Sequence, residues 1–163
     1  VGGELVKMLA DQGADLLVAD IDQAALTAAE ARGATVVSTD DILSADVDVL
    51  SPNAMGAILS VETIPGIRAK AISGCAKNQL ATPDCAQLLT DKGILWAPDY
   101  VASAGGAIDG CKDAGIITPE ARDAKIEGIG STLETIFARA AGDGITTEAA
   151  AQALARELMT RST

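Results

Sequence analysis

Several acids and amides in this chain stand just behind short apolar runs. Asp20 follows Leu16-Leu17-Val18-Ala19, and Asn53 follows Val47-Asp48-Val49-Leu50 by way of Ser51-Pro52. Asn78 lies in the polar loop after Ala69-Lys70-Ala71-Ile72, and Asp99-Tyr100 come after Ile94-Leu95-Trp96-Ala97-Pro98. A carboxylate at a strand end can accept hydrogen bonds from both hydroxyls of a ribose. An amide offers donor and acceptor together and can hold a carboxamide-bearing ligand. The sequence contains no histidine. Imidazole bases, Ser-His-Asp and Cys-His nucleophilic sites and His-containing zinc sites are therefore excluded within it. Acid or base work would fall to Asp, Glu, Lys, Tyr or Cys.

The elements that must position these groups alternate. The pattern predicts a helix over 4–10, a strand over 16–19, an Ala-rich helix over 21–32 closed by Gly33, and a strand over 35–37. A single turn over 39–43, capped by Thr39, comes next, then a strand over 47–50 and a short helix over 58–67 broken at Pro65-Gly66. A strand over 69–72, a helix over 83–92 ended by Gly93 and a strand over 94–96 complete the alternation. Strands that alternate with helices and are nearly all apolar indicate a parallel sheet covered on both faces. Beyond, Pro119 opens one long helix over 120–141 with Ile126, Ile129, Leu133, Ile136 and Phe137 at three-and-four spacing. Gly142-Asp143-Gly144 breaks it, and Thr146-Thr147-Glu148 begins a last helix. The expected division is 1–118 as an α/β part and 119–163 as a helical extension of the same domain.

The order helix, turn, strand, acid at the start is the second half of a dinucleotide-binding βαβ unit. Gly2 takes the place of the third glycine of a G-x-G-x-x-G turn, and the first strand and first two glycines are expected upstream of Val1. The expected fold is a Rossmann-like, doubly wound, mostly parallel sheet lacking its first strand, with the centre of the sheet exposed in its absence. A net charge of −11 argues against binding a phosphate backbone. Cys75, Cys85 and Cys111 have no metal-like spacing and leave an odd thiol, which fits a reducing, cytoplasmic compartment. No metal site is expected, and no apolar run approaches the roughly 20 residues that span a bilayer.

Each strand-end group has a plain alternative. Asp20 would favour NAD over NADP, because a 2′-phosphate would meet a negative charge; otherwise it is a solvated loop acid and Asp22 merely caps a helix. The small residues of Ser51-Pro52-Asn53-Ala54-Met55-Gly56-Ala57 let backbone approach a ligand or form an ordinary turn. Asn78 suits a carboxamide, whereas Lys77 reads as a solvated charge. Gly105-Gly106 brings backbone near a ligand or serves helix packing, and Cys111 reads as a small packed hydrophobe.

Together these blocks resemble the cofactor-binding domain of the Glu/Leu/Phe/Val amino acid dehydrogenases, on the leucine, valine and phenylalanine side. The resemblance runs from Val1-Gly2 through Val18-Ala19-Asp20-Ile21, the 52–57 and 73–80 loops and Ala97-Pro98-Asp99-Tyr100-Val101 to Ala104-Gly105-Gly106 and Asp143-Gly144-Ile145-Thr146. It implies NAD-dependent, reversible oxidative deamination of an L-amino acid to a 2-oxo acid and ammonia. By carry-over, Val1 and Gly2 flank the pyrophosphate, Asp20 binds the adenosine ribose with Ile21 beside the adenine, and Ala54, Met55 and Asn78 line the nicotinamide side. Val101 faces the amino acid's side chain. The catalytic residues belong to another domain in this family, so none is named here, and a homo-oligomer is implied for the full-length protein. Asn53 stands where the family usually has Cys, and Ser103 where it usually has Asn, which touches substrate identity rather than fold. Two alternatives remain open: a nucleotide-binding module without catalysis, and a different Rossmann dehydrogenase that uses Lys77, Asp99 or Tyr100 locally.

Overall fold

Five two-residue pairs, apolar except for Thr35, form the strands, each shorter than the run that contains it, because only the paired residues meet hydrogen-bonding neighbours. The computed structural model describes residues 1–161. In chain order the elements are α1 (Gly2–Asp11), β1 (Leu17–Val18), α2 (Gln23–Glu30), β2 (Thr35–Val36), β3 (Val49–Leu50), β4 (Ala71–Ile72), α3 (Cys85–Asp91) and β5 (Leu95–Trp96). The helices α4 (Asp99–Ala102), α5 (Gly105–Asp113), α6 (Pro119–Glu127), α7 (Ile129–Asp143) and α8 (Thr147–Arg161) follow. Every pairing is parallel, which requires the crossover helices the sequence supplies. The sheet is in two pieces: β1 pairs with β2, and β3, β4 and β5 lie in that order. Among the described residues no strand joins β1 to β3, so each offers an unpaired edge. The protein is thus Rossmann-like α/β.

In the three-stranded piece, Leu50, Ile72 and Trp96 lie side by side and are buried. The helix α3 and the 3-10 turn Ile64–Gly66 bring Cys85, Leu89, Ile64 and Ile67 onto that row. The companion row is not fully covered, since Val49 and Leu95 are exposed. An apolar groove of about 380 Å³ separates Leu95 from Phe137 and Ala140 of α7. A second core joins Ile136 and Ala140 of α7 to Ala150 and Ala151 of α8, with Val101 packed against it. Before Leu50, only Ala29 and Ala34 are buried.

Three expected elements form differently. The 120–141 segment is two helices, α6 and α7, parted at Gly128 (φ −72°, ψ −7°). Glycine is a weak helix former, and the two halves pack on different partners: α6 on α5, where Arg122 and Lys112 both pair with Asp109, and α7 on α4 and α8. The 58–67 helix gives way to a bridge from Leu59 to Leu80 and the 3-10 turn, which includes Pro65-Gly66. There Thr63 Oγ1 donates to the Ile58 carbonyl and accepts from the Ser60 N–H, taking backbone bonds a helix would need. In the 39–43 turn the capping hydroxyl is Ser38 rather than Thr39, accepting the Asp41 N–H at 3.1 Å. The last helix starts as expected, with Thr146 Oγ1 accepting the Ala149 N–H.

Candidate functional site

Parallel strands place their following loops on one edge of a sheet, and here the 51–57, 73–80 and 97–104 loops gather there. The first two are clasped by backbone bonds, Ala76 N–H to Pro52 O at 2.9 Å and Ala57 N–H to Asn78 O at 2.7 Å. The clasp depends on absent side chains, because a Cβ on Gly74 would collide with Pro52 and one on Gly56 would lie 2.5 Å from Lys77 O. Ala57 (φ +56°) and Asn78 (φ +53°) are both left-handed. Asparagine tolerates that conformation, whereas alanine pays about 1 kcal/mol for it, a cost the surrounding bonds must offset.

Asn53 closes the same clasp from its side chain. Its Oδ1 accepts the Cys75 N–H at 3.0 Å and its Nδ2 donates to Ser51 O and Oγ. The departure noted in the sequence is therefore a structural tie between two loops. Ser103 is also engaged internally, donating its hydroxyl to Asp99 O at 2.6 Å.

Beneath the loops lies Gln79, fully buried, a residue the sequence did not single out. Its Nε2 donates to Gly74 O and Ala76 O, and its Oε1 accepts the Trp96 indole N–H at 3.1 Å. Two of these bonds brace the 73–80 loop from within, and the third ties it to β5. Only the pairing of an amide with the chain's sole indole hinted at this.

What the clasp leaves outside is Ala54, Met55 and Asn78. Met55 is 76% exposed, and the Asn78 side-chain amide has no hydrogen bond among the described residues. The Asn78 N–H donates to Asp99 Oδ2 at 2.8 Å, so an almost fully buried carboxylate grips the loop from behind. At the other end of the site, Gly2 at the start of α1 lies against the Asn53 Cβ, 3.8 Å from where its own Cβ would stand. Val1 is exposed beside it and holds the first turn through its carbonyl. Asp20 and Ile21 follow β1 in the other sheet piece; Ile21 is 97% exposed. Asp20 Oδ1 accepts the Asp22 N–H at 3.0 Å, and Asp22 caps α2 through the Ala24 N–H, so the capping role belongs to Asp22.

Val101, half-buried, packs against the α7–α8 core at the base of α4. Next to it Tyr100 donates its phenol to Glu148 Oε2 at 3.2 Å. Partial burial, then the Glu148 carboxylate, push its pKa well up, which keeps it a neutral donor. Lys77 is exposed, and no trio of His, Cys, Asp or Glu among the described residues is arranged to hold a metal ion. No helix of the described chain is long and apolar enough to cross a membrane.

Known proteins resemble the chain in sequence and in fold. The family model for glutamate/leucine/phenylalanine/valine dehydrogenases matches residues 4–110. An L-tryptophan dehydrogenase of Nostoc punctiforme is 41% identical over 99% of the chain, and a leucine dehydrogenase of Geobacillus stearothermophilus is 38% identical over 96%. The chain spans only 46% and 43% of their respective lengths. The crystal structure of L-tryptophan dehydrogenase from Nostoc punctiforme superposes with a TM-score of 0.92 at 37% identity, over 98% of this chain and 48% of that one.

Proposed function

Because the chain belongs to the glutamate/leucine/phenylalanine/valine dehydrogenase family, we propose that it forms the cofactor-binding part of an NAD-dependent amino acid dehydrogenase. The reaction is reversible: L-amino acid, NAD⁺ and water give 2-oxo acid, ammonium, NADH and a proton. The observation that carries the reading is the loop clasp, which engages Asn53, Gln79 and Asp99 internally while leaving the Asn78 amide and Met55 open.

The exposed groups fit a dinucleotide. The start of α1 lacks a side chain at Gly2, and its amides favour a pyrophosphate. Asp20 would hold the adenosine ribose and repel a 2′-phosphate, and Ile21 offers an apolar surface to the adenine. Ala54, Met55 and Asn78 would line the nicotinamide side, with the Asn78 amide matching a carboxamide donor for acceptor. Bound there, the cofactor supplies the hydride acceptor. Val101, fixed by the α7–α8 core, would contribute to the wall met by the amino acid side chain.

Within this chain the remaining acid-base candidates are occupied or exposed. Tyr100 stays protonated, Asp99 is bound to the Asn78 loop, and Lys77 lies in solvent. None of these three is free to move the proton, and the family resemblance implies that the groups that do so lie in another domain. The chain by itself would then act as a nucleotide-binding module. The test is NAD-dependent deamination of leucine, valine, phenylalanine and tryptophan, by this chain and by the complete reading frame. Turnover by the complete protein alone is expected. Turnover by the chain alone would overturn the placing of the acid-base groups, and no NAD or NADH binding by the complete protein would overturn the cofactor reading.

A further inference from the structure

We infer that Asp99 is a positioning residue for the cofactor, acting through Asn78. This rests on the reading of Asn78 as the group that meets the nicotinamide side.

The peptide groups on either side of Asn78 are gripped from opposite directions. Asp99 Oδ2 accepts its N–H at 2.8 Å, and its carbonyl accepts the Ala57 N–H at 2.7 Å. Between those two bonds the backbone sits at φ +53°. A residue that must enter the left-handed region needs its surroundings to hold it there. Direction matters as well, because the side chain of Asn78 leaves the Cα between the two clamps, and turning the peptide re-aims the amide. Asp99 is only 7% exposed and has no ion-pair partner among the described residues, although it is not in a solvated loop. A buried carboxylate without a cation is costly to keep unless its bonds do something. Its place one residue after Pro98 ties β5 to the loop after β4, and so links the two strand ends that flank the proposed nicotinamide side.

The complete enzyme carries the test, with Asn78→Gly, Asp99→Ala, Asp99→Asn and the double variant Asn78→Gly/Asp99→Ala. Glycine at 78 keeps the left-handed backbone and its N–H while deleting the amide. Asp99→Leu, similar in size and without an acceptor, replaces Asp99→Ala in both backgrounds if that variant does not fold. Loss of one hydrogen bond to the cofactor should raise the Kd for NADH, read by fluorescence titration, and lower kcat/KM for NAD, each by about tenfold in Asn78→Gly, and Asp99→Ala should do the same. Asp99→Asn, whose Oδ1 can still accept the Asn78 N–H, should stay within about threefold of the parent. The double variant should be no worse than Asn78→Gly by more than about twofold, since residues acting through one contact are not additive. Equal losses from Asp99→Ala with and without the Asn78 amide would overturn the inference, as would failure of Asp99→Asn to restore activity. A parent enzyme that neither binds nor reduces NAD would instead bring down the cofactor reading itself, so the two failures are distinct.

Discussion

Side chains with two hydrogen-bonding ends do most of the shaping at this site. Asn53, Gln79 and Asp99 each join segments distant in sequence. Replacing Gln79 by Leu keeps the volume but strands the Trp96 N–H and the Gly74 and Ala76 carbonyls. With unsatisfied buried groups costing about 1–3 kcal/mol each, a loss of about 3 kcal/mol in a urea unfolding curve is expected. A change below about 1 kcal/mol would mean that water replaces those bonds. The strand-end acids and amides could be picked out from sequence because a polar residue after an apolar run is a local pattern. Gln79 could not, since nothing near it in the chain announces an indole seventeen residues on.

At the level of elements, β1 to β5 and most helices were legible from apolar runs and caps, while the 58–67 segment was not and the 120–141 helix was legible except for its break at Gly128. In the first, the local Thr63 hydroxyl and the bridge to Leu80 displace the helix; in the second, the separate packing partners of α6 and α7 part it. The acids around 20–22 illustrate how neighbours divide roles. Asp22 caps α2, so Asp22→Ala should cost about 1 kcal/mol of stability, read as a lower melting temperature. NAD affinity in the complete protein should be unchanged. A weakened affinity without loss of stability would shift the ribose contact from Asp20 to Asp22.

Across the whole molecule, burial is uneven. The β3–β5 piece and the α7–α8 pair each have a core, whereas the first forty residues bury only Ala29 and Ala34 and leave β1 with one partner. Amide hydrogen exchange in this chain should therefore be fastest over α1, β1 and α2 and slowest over β4, α3 and α7. Uniform protection across all of them would show that the thin packing at β1 does not control opening. The fold class was readable because alternation of elements needs no distant information; an exposed sheet centre was expected from the order of elements, while the split of the sheet into two pieces and its energetic consequence needed the structure. One further consequence belongs to Trp96. The sole indole is 2% exposed, lies in the sheet beneath the clasp and bonds to the amide that anchors it. Its fluorescence is thus a built-in optical gauge of the loop, emitting at short wavelength while the clasp holds, and a resonance-energy donor for any chromophore that settles above it.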